Sequence, residues 1–326
     1  MSHELEIING KAQMFSVKEI PWHKMGKILD NPPTSEKAIV EAGLDWNVNL
    51  KQIYFKDETA PIDTYNQVNN RFALVRDRYN EPLCVVSGSY KPLQNKKAFE
   101  WFDPIVKEGK ATYETAGSLQ GGRKIWILAK LKDEFEVVAG DTIRKYLLLC
   151  NGHDGATSIL IQLSPIRVVC QNTLLASLGT GMVNSIVHHG NIEMRMDMVK
   201  RMIGLAEKEY EQRREIYQNM ARYSMDNNKI GLYLQALIPD ARKEATERVR
   251  NTINADRERI WQLIETGMGS GIKNVKGTLW GTYNASIEFA EYYMAKRVRD
   301  IPNYQLFGLG AQFKQRAFNL AVDAIK

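Results

Sequence analysis

ATYETAGSLQGGRKIWILAKL (residues 111–131) decides the reading of this chain. Its two arms, ATYETAG and RKIWILAKL, are rich in β-branched, aromatic and aliphatic residues. They flank SLQGG, a glycine-rich turn, so the stretch predicts a β-hairpin. Downstream, KYLLLC (145–150) and TSILIQL (157–163) are apolar on both faces and predict central, covered strands joined through NGHDGA (151–156). Upstream, Phe72–Val75 and Leu83–Val86 predict a second hairpin around RDRYNEP, and WNVNLKQIYF (46–55) a further strand. Between the hairpins the period changes: Ala98, Phe99, Phe102, Ile105 and Val106 share one stripe of a helix over 94–106. Ser164 and Pro165 read as a helix cap and first helical residue, with the helix running through IRVVCQNTLLASL to stop at Gly179.

Past Gly190 the composition turns to Met, Glu, Arg and Lys at helical spacing. Helices are expected over 192–223 and from Asp240 to Glu265. The second carries ARKEATERVRNTINADRER, poor enough in apolar residues to be solvent-exposed or the seam of an oligomer. Gly267, Gly269 and Gly271 break it, and helices over Tyr283–Arg297 and Ala311–Ile325 finish the chain. The expected fold is α+β: a mixed or antiparallel N-terminal sheet with packed helices in 1–190, then a helical region in 191–326.

Composition narrows the class. In 326 residues, 44 Lys and Arg stand against 38 Asp and Glu, a net charge of +6, and 44% of residues are hydrophobic. These proportions belong to a folded chain and exclude a disordered or collagen-like one. No apolar run reaches bilayer-spanning length, and MSHELEIINGKAQM has no apolar segment of the secretory kind. Three cysteines, each in an apolar run, read as buried thiols of a reducing, cytoplasmic compartment. The positive excess permits a nucleic-acid partner without requiring one.

The common catalytic signatures are absent: no Walker A loop, G-x-S-x-G, H-E-x-x-H, EF-hand loop or C-x-x-C pair. His153 and Asp154, in a Gly-flanked loop, are the residues an enzymatic or metal-dependent site would use, with His23 or His188 as helpers. The competing reading makes Asn151 and Asp154 turn-forming and His153 a strand cap. His188 and His189 would face opposite sides of a strand, against one shared ion. Cations are better grouped. Lys91, Lys96 and Lys97 surround the start of the Gln94 helix, whose amides favour an anion. Arg123 and Lys124 follow SLQGG, Arg71, Arg76 and Arg78 bracket another hairpin, and Arg167 begins the Pro165 helix. Tyr90, Tyr113 and Trp126 are interleaved with them, as aromatic side chains are where a protein tracks phosphates while stacking bases; the alternative is a solvated basic surface over a core that holds the aromatics. GMGSGIKNVKG (267–277) offers amides and two lysines to a phosphate, but by composition is a mobile connection. MRMDMVKRM (194–202) reads as a helix packing its Met side chains.

Taken in order, PWHKMG, AGLDW, YKPLQNKKAFEWFD, YETAGSLQGGRKIWILAKL, YLLLCNGHDG, SPIRVVCQNTL, HHGN and WGTYNASIEF span most of the chain. This series is similar to the phage/plasmid-like protein family, a domain of unknown function found in bacteriophages, prophages and conjugative plasmids. The departure is Lys24-Met25, where the family more often has Gly-Leu. The resemblance implies a genomic setting, and the plan of hairpins followed by helices with basic turns looks like that of Rad52-type annealing proteins. The expectation is a non-catalytic protein that binds single-stranded DNA as a homo-oligomer and assists annealing or recombination. Tyr90, Lys91, Lys96, Lys97, Arg123, Lys124, Trp126 and Arg167 would line the interface, without cofactor, metal or membrane. The other classes are an enzyme using His153 and Asp154, and an inhibitor that binds a host protein.

Overall fold

The computed structural model describes residues 5–18, 25–167, 183–203, 206–298, 304 and 308–326. Twelve strands are described: β1 (Ile7–Ile8), β2 (Lys11–Ala12), β3 (Met14–Val17), β4 (Lys27–Leu29), β5 (Val48–Asp57), β6 (Thr64–Arg76), β7 (Glu81–Ser87), β8 (Ala111–Leu119), β9 (Lys124–Glu136), β10 (Thr142–Gly152), β11 (Ile159–Arg167) and β12 (Val183–Ile186). Helices α1 (Ser35–Glu41) and α2 (Asn95–Lys107) lie among them. The chain continues with α3 (Ile192–Ile203), α4 (Ala206–Arg222), α5 (Asn227–Leu237), α6 (Glu247–Thr266), α7 (Leu279–Glu288) and α8 (Leu309–Ala324). This is the expected α+β plan, strands with packed helices first and helices last.

The 111–131 segment forms the hairpin β8–β9, in register from Ala111↔Leu131 to Leu119↔Lys124. Its turn holds Gln120, Gly121 and Gly122 at φ of 53°, 65° and 87°, a left-handed run that glycine adopts at little cost. The hairpin lies inside a mixed seven-stranded sheet of order β12-β11-β10-β9-β8-β3-β4, in which β3 pairs antiparallel with β8 and parallel with β4. β10 is buried along Tyr146–Gly152, as expected of a central strand. Strands β5, β6 and β7 form a separate antiparallel sheet.

The helix expected from Asp240 begins only at Glu247, and the one expected at Ser164 is not formed there. Ser164 and Pro165 do not start a helix, because β11 runs through them to Arg167. A proline near a strand end loses only one ladder donor, so a Ser-Pro pair is compatible with either state, and pairing to neighbouring strands decided here. The remainder of that predicted helix, with Cys170, lies outside the described residues, as does His23.

By packing, the chain forms two units. One holds Met1–Lys132, Leu147–Gln162 and Met182–Met202; the other holds Asp133–Tyr146, Leu163–Gly181 and Ile203–Lys326. In the second, α7 is the centre: all ten of its residues are buried, and Thr278 caps it by accepting from the Gly281 amide. A π-helical turn (Phe289–Met294) and a 3-10 turn (Ala295–Arg297) extend it. Helix α6 buries only Ile260, Leu263 and Ile264 among its 20 residues, so its polar stretch is solvent-exposed within the chain. The loop Gly267–Gly277 is a succession of turns, with Ser270 bonded to Gly267, Ile272 to Gly269 and Val275 to Ile272.

Candidate functional site

Four segments of the first unit meet at the end of β10 and the loop that follows it, Asn151–Ser158. The His153 amide donates to the Arg123 carbonyl in the β8–β9 turn (2.6 Å). Asn151 Nδ2 donates to the Leu93 carbonyl just before α2 (3.0 Å), and the His153 Nε2 and Asn95 Oδ1 atoms stand 2.9 Å apart. The Tyr90 hydroxyl donates to the Gly152 carbonyl (2.9 Å), and Cys84 Sγ on β7 donates to the His153 carbonyl (3.3 Å). Finally, His188 stacks on Tyr90 (centroids 4.7 Å apart, planes at 20°), and its Nδ1 lies 3.0 Å from the Lys91 carbonyl.

His153 is wholly buried, with its ring 5.3 Å from that of Trp46. Burial, with the nearby His188 and Arg76 charges, lowers its pKa to about 3 against the opposing pull of Asp154. The imidazole is therefore neutral at pH 7 and meets no solvent. His188 is also lowered, chiefly by burial, although the Lys91 carbonyl favours its charged form. Burial pushes Asp154 up, but its bonds with the Thr157 hydroxyl, the Thr157 and Ala156 amides, and the charge of Lys124 hold it below the ordinary carboxylate range. Both Asp154 oxygens are spent on that turn. Burial, with Asp154 beside it, raises the Cys84 thiol to about 11, so it is not a thiolate nucleophile at neutral pH. Among the described residues no three His, Cys, Asp or Glu side chains group to hold a metal ion. Lys91 and Arg123 are exposed at the rim of this neighbourhood.

The site residues expected from sequence divide accordingly. Lys91, Lys96, Lys97 and Arg123 are exposed, and Lys124 is half-buried with Nζ 3.9 Å from Asp154. Lys96 and Lys97 both face Glu100, at 3.9 and 3.2 Å. Helix α2 has no side-chain cap and no acidic residue in its first turn, because the Gln94 amide group is used on the Val48 backbone instead. Tyr90, expected as a stacking platform, is buried and engaged on both its ring and hydroxyl, so it offers no face to a base. Trp126 is half-buried and packs against the cluster of Leu5, Met14 and Leu119. Tyr113 is a core residue whose hydroxyl donates to the Phe99 carbonyl. Arg76 is buried and ion-paired with Glu6 and Glu81, while Arg78 pairs with Asp45. Arg167 ends β11 rather than beginning a helix at Pro165. Sequence reasoning missed Asn95, Trp46 and Cys84 as partners of the loop; contacts reaching back 58 to 107 residues from His153 leave no spacing signal.

Residues 82–305, more than half of the chain, match the family described as Domain of unknown function (DUF932), and the chain belongs to that family. No curated protein and no solved structure matches it.

Proposed function

We propose that this DUF932 protein is a non-catalytic binder of single-stranded DNA that works as a homo-oligomer in the cytoplasm of a bacterial host, serving annealing or recombination for a phage or plasmid. The observation that carries the reading is the convergence of the β8–β9 turn, the Tyr90–Leu93 segment and the start of α2 on one loop, with Lys91, Lys96, Lys97, Arg123 and Lys124 around it. Glu100 faces Lys96 and Lys97, Asp154 faces Lys124, and Glu36, Asp45 and Asp103 line a pocket with Lys96, so Lys91 and Arg123 are the cations with no carboxylate paired to them among the described residues. Exposed pairs of the Lys–Glu kind are weak, so a phosphate competes for the same lysines. The uncapped α2 amides add a fixed positive end. Stacking falls to the exposed Tyr54, Phe55 and Tyr65 of the β5–β6 ribbon.

Fluorescence anisotropy with a labelled oligothymidylate tests the reading. Single strands lose affinity with a slope of about −0.7 in log–log salt per phosphate contacted, so contacts with three to five cations give a slope of roughly −2 to −3.5. Charge reversal at Arg123 and Lys124 should flatten that slope and weaken binding with the fold intact. No binding at about 50 mM salt, where the electrostatic contribution is large, would sink the proposal. A stoichiometric host protein recovered in its place would support inhibition by protein contacts.

A further inference from the structure

The helical unit buries a cation for which the described residues offer no counter-charge. Arg213 on α4 is 6% exposed, and among the described residues no carboxylate lies within ion-pair distance of it. Its guanidinium lies over Phe318 of α8, 5.8 Å from the ring centroid, and Nη1 has no hydrogen-bond partner among the described residues. Two tyrosines share this neighbourhood. Tyr217, one helical turn on, and Tyr283 of α7 are both wholly buried, with centroids 6.3 Å apart and planes at 21°. Phe318 closes the group edge-on to both, at 6.2 and 6.1 Å. The Arg213 side chain hydrogen-bonds to Tyr217, and among the described residues the Tyr283 hydroxyl has no hydrogen-bond partner. The charge of Arg213 acts on both tyrosines, opposing the rise that burial imposes on each. Glu291, whose charge acts on Tyr283, is paired with Lys314 Nζ at 2.9 Å.

Buried polar groups are almost always paired, and a buried charge left alone is costlier still. Here Tyr217 accepts from Arg213, while Arg213 Nη1 and the two phenolic protons find no acceptor among the described residues. We propose that Arg213, Tyr217 and Tyr283 form a binding site for a small oxyanion of the phosphate or carboxylate type. Arg213 supplies the charge, and the two hydroxyls donate to separate oxygens. The aromatic rings exclude water, so each bond counts for more than it would at the surface. Both tyrosines are wholly buried and Arg213 is nearly so, so the ligand must be small.

Thermal unfolding of the full chain in graded inorganic phosphate, against sodium chloride of equal ionic strength, tests the site. A ligand that binds only the folded state raises the midpoint in proportion to the logarithm of its concentration above Kd. Protection by phosphate should follow that law, acetate should show whether a planar anion serves as well, and Arg213→Met should abolish the effect. Tyr283→Phe, a milder change, should raise the half-protecting concentration about tenfold, the loss of one hydrogen bond to a charged group. Calorimetric titration of folded wild-type chain with phosphate gives a second reading that does not depend on the variants folding. No phosphate- or acetate-specific protection and no binding heat overturns the site, as does equal protection of Arg213→Met. The outcome is separate from DNA binding, which rests on Arg123 and Lys124 in the other unit.

Discussion

Replacing His153 with glutamine removes a buried imidazole whose folded and unfolded states differ widely in proton affinity, while leaving an amide able to donate to Asn95. In the fold its pKa is about 3, against 6.5 ordinarily. Between those limits the unfolded chain binds a proton that the folded chain refuses. Stability is therefore full above pH 6.5 and falls by roughly 1.4 kcal/mol for each unit below it. At pH 5 that amounts to about 2 kcal/mol, a large share of a typical domain's margin. His188, also lowered, adds a loss of the same sign. Asp154, held below its ordinary range, keeps its contribution until the pH falls further. Urea unfolding at pH 7 and pH 5, followed by tryptophan fluorescence with Trp46 beside the imidazole, measures the difference. Wild type should lose about 2 kcal/mol more than His153→Gln on acidification, even though the variant starts lower at pH 7 through imperfect packing. Equal losses would mean that His153 titrates normally, and the neutral, solvent-excluded imidazole would have to be abandoned.

Two further outcomes follow from packing. A Cβ at Gly117 would lie 2.3 Å from Trp126 Cη2 and 2.6 Å from Met14 Cβ, so Gly117→Ala should cost about 1–3 kcal/mol in denaturant unfolding, as overpacking does. Trimming the indole in Gly117→Ala/Trp126→Leu should recover part of that, and strictly additive losses would contradict the steric account. Arg76→Met leaves the buried Glu6 carboxylate without its partner and should cost about 3–5 kcal/mol. Adding Glu6→Leu should restore most of it, because an apolar pair is cheaper than a lone buried charge; a double variant no better than Arg76→Met would refute this.

Short-range pattern determined much of this protein. The left-handed turn at Gln120–Gly122, the buried run of β10 and the stripe of α2 could all be read in advance, because turn chemistry and hydrophobic period act within a few residues. Where local signals were ambiguous, reading failed. Ser164–Pro165 suits a helix start or a strand end, and β-pairing chose the strand. Helix α5 was missed although Asp226 caps it by accepting from the Lys229 amide, since Gly231 interrupts its pattern.

Only the tertiary structure decided which side chains meet solvent and which meet one another. Sequence grouped Tyr90 with the lysines, yet the fold turned its ring onto His188 and left Lys91 outside. It paired His153 with Asp154 as neighbours, whereas the fold gave His153 to Asn95 and Asp154 to Thr157. The hairpin Asp133–Tyr146 packs with the helical unit that begins again at residue 203, and Arg213 acquires Tyr283 from a helix 70 positions on. Burial and charge pairing depend on distances that the chain sets only once it has folded back on itself. A one-dimensional pattern therefore supplies the elements, and their packing supplies the site.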